Sequence, residues 1–131
     1  MKDRVFFDTN VILYAFDNSD DVKYSKAIEC LDKYEPIIST QVIREFANVI
    51  IKKSILSLSA LKKDLMALQD SFEIVPEYVN KAVDVHERYK YSFYDSLIIA
   101  SAIYAKCSVL FSEDMQDGQV VESVKIVNPF A

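Results

Sequence analysis

Short apolar runs along this chain alternate with longer segments in which apolar residues recur at helical spacing. The runs at 4–8, 37–39, 72–75, 109–111 and 124–127 have the length and composition of buried strands. Between them, apolar residues return every three or four positions, which is typical of amphipathic helices. This alternation predicts an α/β fold of three layers, in which a central parallel sheet lies between two layers of helices.

Helices are predicted at residues 22–34, 58–69, 77–90 and 96–106. A short helix after the first strand is predicted to end near residue 16, and another helix is predicted to begin at a cap at Ser39 or Thr40. Ser92 and Asp95 have the spacing of a capping box, in which two side chains satisfy the free N–H groups of a first turn. The segment 96–106 is apolar nearly throughout, so we expect a helix that is buried on most sides. Gly118 marks a turn before the last strand.

Composition indicates one ordered domain that spans residues 1–131. Hydrophobic residues make up 51% of the chain and charged residues 27%, with a single Gly and three Pro. No apolar run reaches the roughly 18 residues of a membrane span, and the N-terminal residues lack the apolar core of a signal peptide. We therefore expect a cytoplasmic protein with no membrane partner. Cys30 and Cys107 match no metal or redox spacing and are predicted to be buried free thiols.

Carboxylates follow the predicted strands and begin the most apolar helix: Asp8, Glu45, Asp95, Glu113, Asp114 and Asp117. The carboxyl ends of parallel strands meet at one edge of a sheet, where ligands and catalytic groups collect. Glu45 lies about one and a half turns into its helix, and its long side chain leans back toward that edge. We therefore expect these acids to come together in one neighbourhood.

Several carboxylates held close together repel one another, and a divalent cation relieves that repulsion. An all-oxygen set of ligands selects Mg²⁺ or Mn²⁺, and the single histidine, His86, leaves little for a zinc site or a Ser-His-Asp triad. The net charge of −5 disfavours a polyanionic partner, but four carboxylates in a metal site would account for most of it. The chemistry indicated is metal-assisted hydrolysis of a phosphodiester, without a covalent enzyme intermediate.

The segments that carry these acids resemble those of the PIN domain, in particular VapC-type toxins of toxin–antitoxin systems. They are Phe7-Asp8-Thr9-Asn10-Val11-Ile12-Leu13, Val42-Ile43-Arg44-Glu45-Phe46, Tyr94-Asp95-Ser96-Leu97-Ile98-Ile99-Ala100 and Phe111-Ser112-Glu113-Asp114. Four motifs in this order cover essentially the whole chain. The resemblance implies strand order 3-2-1-4-5 and an Mg²⁺- or Mn²⁺-dependent endoribonuclease. It also implies a homodimer and inhibition by a small antitoxin, which inserts a segment near the active site.

By position, the resemblance implies that the catalytic residues are Asp8, Glu45, Asp95 and Asp114, and that Asn10 and Ser112 orient ligands or water. The family pattern for the fourth acid is roughly Thr-x-Asp, and here it reads Ser112-Glu113-Asp114. Asp117, one helical turn further on, is the alternative. The predicted metal ligands are therefore Asp8, Asp95, Asp114 and, as the reserve, Asp117.

Each acid also has an ordinary structural explanation when it is taken alone. Asp8 could cap a helix, Glu45 could be a solvated neighbour of Arg44, and Asp95 could complete its capping box. Two other functions use an acid at this edge. A regulatory receiver-like domain needs its phosphorylated Asp on a middle strand, and a haloacid-dehalogenase-like phosphatase needs a second acid where Asn10 stands. Neither pattern fits, so the nuclease is the preferred hypothesis.

Basic and aromatic side chains offer further contacts for RNA. Lysines at helix ends could pair with phosphates, although solvated roles are at least as common; these are Lys52, Lys53, Lys62 and Lys63. An aromatic cluster could stack on unpaired bases, namely Tyr89, Tyr91, Phe93 and Tyr94. Aromatic residues beside a buried helix start more often belong to the core, which is the interpretation preferred here.

Overall fold

The computed structural model describes residues 1–53 and 55–131, in which helices and strands alternate as the hydrophobic pattern predicts. The elements are β1 Arg4–Phe7, α1 Thr9–Phe16, α2 Asp21–Lys33, β2 Glu35–Ser39, α3 Thr40–Lys52, α4 Leu58–Ser71, β3 Glu73–Val75, α5 Val79–Tyr89, α6 Phe93–Tyr104, β4 Val109–Phe111, β5 Val120–Val121 and β6 Val124–Val127. Within these described residues, no helix has the length and apolar content to cross a bilayer.

The sheet has the order β3-β2-β1-β4-β6-β5 and is parallel except for β5. Phe6 of β1 pairs with Ile37 on one side and Leu110 on the other. The predicted α/β class is confirmed, and so is the order of the first four strands. The predicted last strand, 124–127, is β6 and lies beside β4. The sequence prediction missed β5, because two residues are too short to show any periodicity.

The helices form two groups on opposite faces of the sheet. Helices α1 to α4 pack against one another, and α5 packs against α6. The chain runs from β1 to β2 and β3 in one direction across the sheet, and then reverses to reach β4. Because parallel crossovers are right-handed, that reversal places α5 and α6 on the face opposite α1 to α4. The predicted three layers follow from this connectivity.

The centre of the sheet is buried on both faces. Val5, Phe6 and Phe7 are inaccessible to solvent, and every residue of α6 from Ser96 to Ala102 is buried. The prediction of a mostly buried helix is thus confirmed. That helix begins at Phe93, directly after the predicted cap at Ser92, whose hydroxyl accepts a hydrogen bond from the Asp95 amide. Burial on both faces of β1 fixes the backbone from which the first acid projects.

Local sequence explains where the other elements begin and turn. Ser39 caps α3 through its hydroxyl, which accepts a hydrogen bond from the Val42 amide. The turn before β5 contains Gly118 at φ +86°, a conformation that is easy only for glycine. Cys30 and Cys107 are both buried and free, as predicted. The ends of β1, β2 and β4 are therefore held by caps and core packing.

Candidate active site

Asp8 follows β1 directly and caps α1 at the carboxyl edge of the sheet. Its Oδ1 accepts a hydrogen bond from the Thr9 amide at 2.7 Å, and its Oδ2 accepts one from the Ser112 hydroxyl at 3.0 Å. The Asp8 amide donates to the Phe111 carbonyl at 3.0 Å. Asp8 is therefore fixed by its own helix and by the end of β4. Ser112, predicted as a polar support, is fully buried beneath it.

Two carboxyl groups at this edge, those of Asp8 and Asp95, resist ionisation. The pKa of Asp8 is raised to about 7, chiefly by burial and also by the charges of Asp95 and Glu45, whereas hydrogen bonds from Thr9 and Ser112 oppose the shift. Burial also raises the pKa of Asp95, with added repulsion from Asp114 and Glu45. Negative charge is thus concentrated where water and counterions screen it poorly. Such a cluster is an electrostatic reason to bind a cation.

Glu45 reaches this edge from α3 and is held at both carboxylate oxygens. Oε1 accepts a hydrogen bond from the Thr9 hydroxyl at 2.6 Å, and Oε2 accepts one from the Gln41 amide nitrogen at 3.3 Å. The same nitrogen of Gln41 donates to the Tyr94 carbonyl at 3.0 Å. Gln41 therefore links Glu45 to the first turn of α6, which carries Asp95.

Gln41 is a site residue that the sequence prediction missed. It is 1% exposed, and within the described residues its Oε1 has no hydrogen-bond partner. A buried unpaired acceptor costs roughly 1–3 kcal/mol. Its position one helical turn before Glu45, on the same helix face, was the available signal. A polar residue retained at that cost points to a role in the site.

Asp114, not Asp117, is the acid of the β4 loop that lies at this edge. The Asn10 amide nitrogen donates to Asp114 Oδ2 at 2.6 Å, so Asn10 has the predicted supporting position. Asp117 turns away, and its Oδ1 accepts a hydrogen bond from the Asn128 amide at 2.8 Å. Asp117 therefore fixes the turn after β6, and the structure does not bring it together with the other predicted ligands.

Glu113, between Ser112 and Asp114, is neutralised by other partners. Burial alone would raise its pKa, but an ion pair with Lys23 and a hydrogen bond from Tyr14 outweigh that effect and lower it. The Tyr14 hydroxyl donates to Glu113 Oε1 at 2.8 Å. Glu113 is thus a structural acid that ties the β4 loop to α1 and α2.

The four predicted catalytic acids surround one open pocket of about 350 Å³. Its lining is Asp8, Thr9, Asn10, Glu45, Asn48, Val49, Asp95 and Asp114. Among the described residues, no Lys or Arg contributes to this lining. The donors are all oxygen or amide groups, which suit Mg²⁺ or Mn²⁺ and not Zn²⁺.

The acids line a common pocket but do not form a ready-made cage. Across residues 1–53 and 55–131, no three His, Cys, Asp or Glu side chains are close enough to hold a metal ion as they stand. The physical reason is visible in three of the acids. Asp8, Glu45 and Asp114 each turn toward an internal hydrogen-bond donor. Like charges lower their energy in this way when no cation is between them.

The histidine and the aromatic residues considered in the sequence lie outside the lining of the acidic pocket. His86 is exposed on α5, and its Nδ1 contacts the Tyr91 carbonyl at 2.6 Å. Tyr89 and Tyr91 pack against the core, in agreement with the interpretation preferred above. That interpretation is wrong for Phe93 and Tyr94, which are 38% and 63% exposed.

A family model described as the PIN domain matches residues 5–117. No curated protein matches the chain in sequence.

Three solved structures are similar over nearly their whole length. A toxin–antitoxin complex from Klebsiella pneumoniae has 22% identity and a TM-score of 0.74, and covers 95% of this chain and 97% of that chain. VapBC2 from Rickettsia felis, bound to a promoter DNA fragment, has 16% identity, a TM-score of 0.68 and coverage of 94% and 96%. VapC20 from Mycobacterium tuberculosis, described as a sarcin–ricin loop cleaving toxin, has 15% identity, a TM-score of 0.66 and coverage of 84% and 91%. At these identities the likeness establishes a shared fold.

Proposed function

The chain belongs to the PIN domain family, and from that premise we propose that it is a metal-dependent endoribonuclease that serves as the toxin of a toxin–antitoxin pair. The observation that carries the proposal is the single pocket lined by Asp8, Glu45, Asp95 and Asp114. In metal-assisted hydrolysis of a phosphodiester, divalent cations stabilise the charge on the attacking and leaving oxygens. This pocket offers negative charge with no basic side chain among its described lining residues.

Asp8, Asp95 and Asp114 would hold Mg²⁺ or Mn²⁺, with Glu45 as the fourth acid. When bound, the metal supplies a Lewis acid and a water molecule of lowered pKa. The chain's own residues orient the acids for that role. Ser112 and the Thr9 amide fix Asp8. Thr9 and Gln41 fix Glu45, and Asn10 fixes Asp114.

RNA as the substrate and an antitoxin as the partner are supported by the resemblance and by the proteins that share the fold. One of these is described as a toxin that cleaves the sarcin–ricin loop, and others are described as toxin–antitoxin complexes. The resemblance implies that the antitoxin inserts a segment near the acidic pocket. An apolar groove of about 730 Å³, lined by Phe16, Ile28, Leu31 and Phe72 among others, lies toward the amino edge of the sheet beside Glu35, so it is not that insertion site. The homodimer stays a prediction.

Cleavage of single-stranded RNA by the purified protein tests the proposal. We expect cleavage with Mg²⁺ or Mn²⁺ and none in EDTA, because the acids cannot activate water alone. Asp8→Asn should lower the rate at least about 100-fold, since it removes a metal-binding charge. The substitution keeps the oxygen that caps α1, so the far-UV circular dichroism should not change.

Glu35→Gln is the matched control, because this acid lies at the other edge of the sheet and contacts Arg4. It should cleave like the unmodified protein. The product of a small neighbouring reading frame, if it is the antitoxin, should abolish cleavage. Undiminished cleavage by Asp8→Asn would overturn the proposal. Stable phosphorylation of Asp8 by acetyl phosphate would instead support the receiver-like or phosphatase alternatives.

A further inference from the structure

A second groove adjoins the acidic pocket and has a different character. It measures about 260 Å³ and is lined by Gln41, Arg44, Glu45, Asn48 and Tyr94. Glu45 and Asn48 belong to both linings, so the two spaces are continuous. We propose that this groove binds one unpaired nucleotide of the substrate, with its base stacked on Tyr94 and its phosphate paired with Arg44. The proposal deepens the nuclease function proposed above and rests on it.

Tyr94 presents an aromatic surface for which the fold has no structural use. Its side chain is 63% exposed, although it is adjacent to Asp95 at the rim of the acidic pocket. The Phe93 ring contacts it edge-on, with 5.7 Å between centroids and 68° between planes, which restrains the ring without covering it. An exposed ring beside a nuclease site is a stacking platform for a base. Bases inside a duplex cannot reach it, so the nucleotide is unpaired.

Arg44 supplies the positive charge that the acidic pocket lacks. It is the basic residue that the second groove contains within the described chain, and its side chain is 61% exposed. Its guanidinium pairs with Glu77, which also accepts a hydrogen bond from Thr40 at 2.7 Å. The Glu77 side chain is only 21% exposed, whereas the guanidinium end of the pair is open to solvent. Guanidinium binds phosphate with two parallel hydrogen bonds, so a substrate phosphate can compete with Glu77 for Arg44, while Thr40 still donates to the Glu77 carboxylate.

Gln41 gives the groove a fixed floor. Its amide nitrogen joins the Glu45 carboxylate to the Tyr94 backbone carbonyl, so the backbone that carries the stacking ring is tied to the acid. Its Oε1, buried and without a partner in the described part of the chain, is a further acceptor beside the groove. Asn48 is exposed where the two spaces meet and has both a donor and an acceptor. These groups would hold the nucleotide next to the bond that is cleaved.

Binding of a fluorescently labelled single-stranded RNA of ten nucleotides, measured by anisotropy in EDTA, tests the groove without any cleavage. Tyr94→Leu should weaken binding roughly 5- to 100-fold, which is the range for loss of one stacked base. Tyr94→Phe should bind like the unmodified protein, because the ring remains. Tyr104→Leu is the matched control, since Tyr104 is 52% exposed at the other end of the same helix.

Arg44→Gln should weaken binding and reduce the slope of log affinity against log salt by about 0.7, the value for one phosphate contact on a single strand. Arg88→Gln, an exposed arginine on α5, is its control. The duplex of the same sequence should show no dependence on Tyr94. Equal binding by Tyr94→Leu and Tyr104→Leu would overturn the proposal.

The two proposals fail separately. If binding depends on Tyr94 but no metal supports cleavage, the nuclease function is wrong and the nucleotide groove stands. If the protein cleaves RNA and Tyr94→Leu leaves both binding and KM unchanged, the groove is wrong and the nuclease stands. Thermal unfolding of each variant shows whether it is folded, and recovery with Tyr94→Phe assigns the effect to the ring.

Discussion

The two edges of the sheet handle negative charge in opposite ways. At the carboxyl edge, Asp8, Glu45, Asp95 and Asp114 share a pocket, and no basic side chain of the described chain lines it. At the amino edge, two acids of β2 and β3 meet one arginine of β1. The same sheet thus carries acids that are neutralised within the fold and acids that are not.

Arg4 completes the amino edge. Its two terminal nitrogens donate to the two oxygens of Glu73 at 2.8 and 2.7 Å, and one also lies 3.4 Å from Glu35. The guanidinium further donates to the Ala105 carbonyl at 3.1 and 2.8 Å. The hydrogen bonds from Arg4 lower the pKa of Glu73. This charge balance needs no external ion.

The contrast separates structural acids from functional ones better than a count of carboxylates does. Glu73 is easier to ionise than a free glutamate, whereas Asp8, with a pKa raised to about 7, is harder to ionise than a free aspartate. The Arg4 guanidinium lowers the pKa of Glu73, and burial near other acids raises the pKa of Asp8. Binding of a cation is therefore expected to be favourable at the carboxyl edge, where it relieves the repulsion among the acids.

The largest effect that distinguishes the edges is expected from Mg²⁺. At pH 8, a concentration of Mg²⁺ one hundred times its Kd should raise the free energy of unfolding by about 2.7 kcal/mol. Asp8→Asn should lose most of this response, and Glu73→Gln should keep it, because Glu73 is already paired. Urea unfolding with and without Mg²⁺ measures both. An equal response in the two variants would contradict the assignment of the site.

The pH dependence of stability without metal should have opposite signs at the two edges. The pKa of Asp8 is higher in the folded state, at about 7, than in the unfolded state. The contribution of Asp8 to the free energy of unfolding is therefore complete below about pH 4 and is lost as the pH rises through 7. We expect a loss of about 1–2 kcal/mol between pH 5 and 8, after allowance for solvent screening.

Asp8→Asn removes the group with the largest shift and leaves Asp95, whose pKa is also raised, so its stability should fall less over that interval and should exceed that of the unmodified protein at pH 8. Urea unfolding in EDTA at several pH values gives the comparison. A steeper fall in the variant would show that Asp8 is not the group responsible.

The smallest effect is expected at the amino edge. Glu73→Gln should lower the free energy of unfolding by less than about 1 kcal/mol at pH 7, because the Arg4–Glu73 pair is largely exposed. The pKa of Glu73 is lowered by folding, so this contribution is present above its unfolded pKa and disappears as pH falls through the folded value. The two proteins should converge in stability once the pH is below the folded pKa of Glu73, and a difference that grows on acidification would contradict the pairing.

Much of the fold was predictable because each strand of the parallel sheet is an apolar run bounded by caps. Two features were not predicted, for physical reasons. The strand β5 has two residues and gains its order only from pairing with β6. Tyr94 reads as a core aromatic in sequence, but the side of a helix that faces solvent depends on packing against α5. Such packing is not encoded in local spacing.

The positions of the predicted acids followed from the geometry of strand ends, but their individual roles did not. Strand-end geometry alone does not distinguish Glu113, Asp114 and Asp117; the resemblance favoured Asp114, and partners distant in the chain separate the three. Lys23 neutralises Glu113, Asn10 supports Asp114, and the Asn128 amide draws Asp117 away. Gln41 was missed for the same reason, because its role depends on a hydrogen bond to the Tyr94 carbonyl, 53 residues later in the chain.

The central position of β4 also has a consequence during protein synthesis. This strand lies between β1 and β6, although it is made long after β1, β2 and β3. The acidic pocket needs Asp114, which follows β4, so it cannot assemble until residues 109–127 have left the ribosome. A nascent chain would carry Asp8, Glu45 and Asp95 without a completed site, and the cell would meet any nuclease activity only once synthesis of the domain is nearly finished.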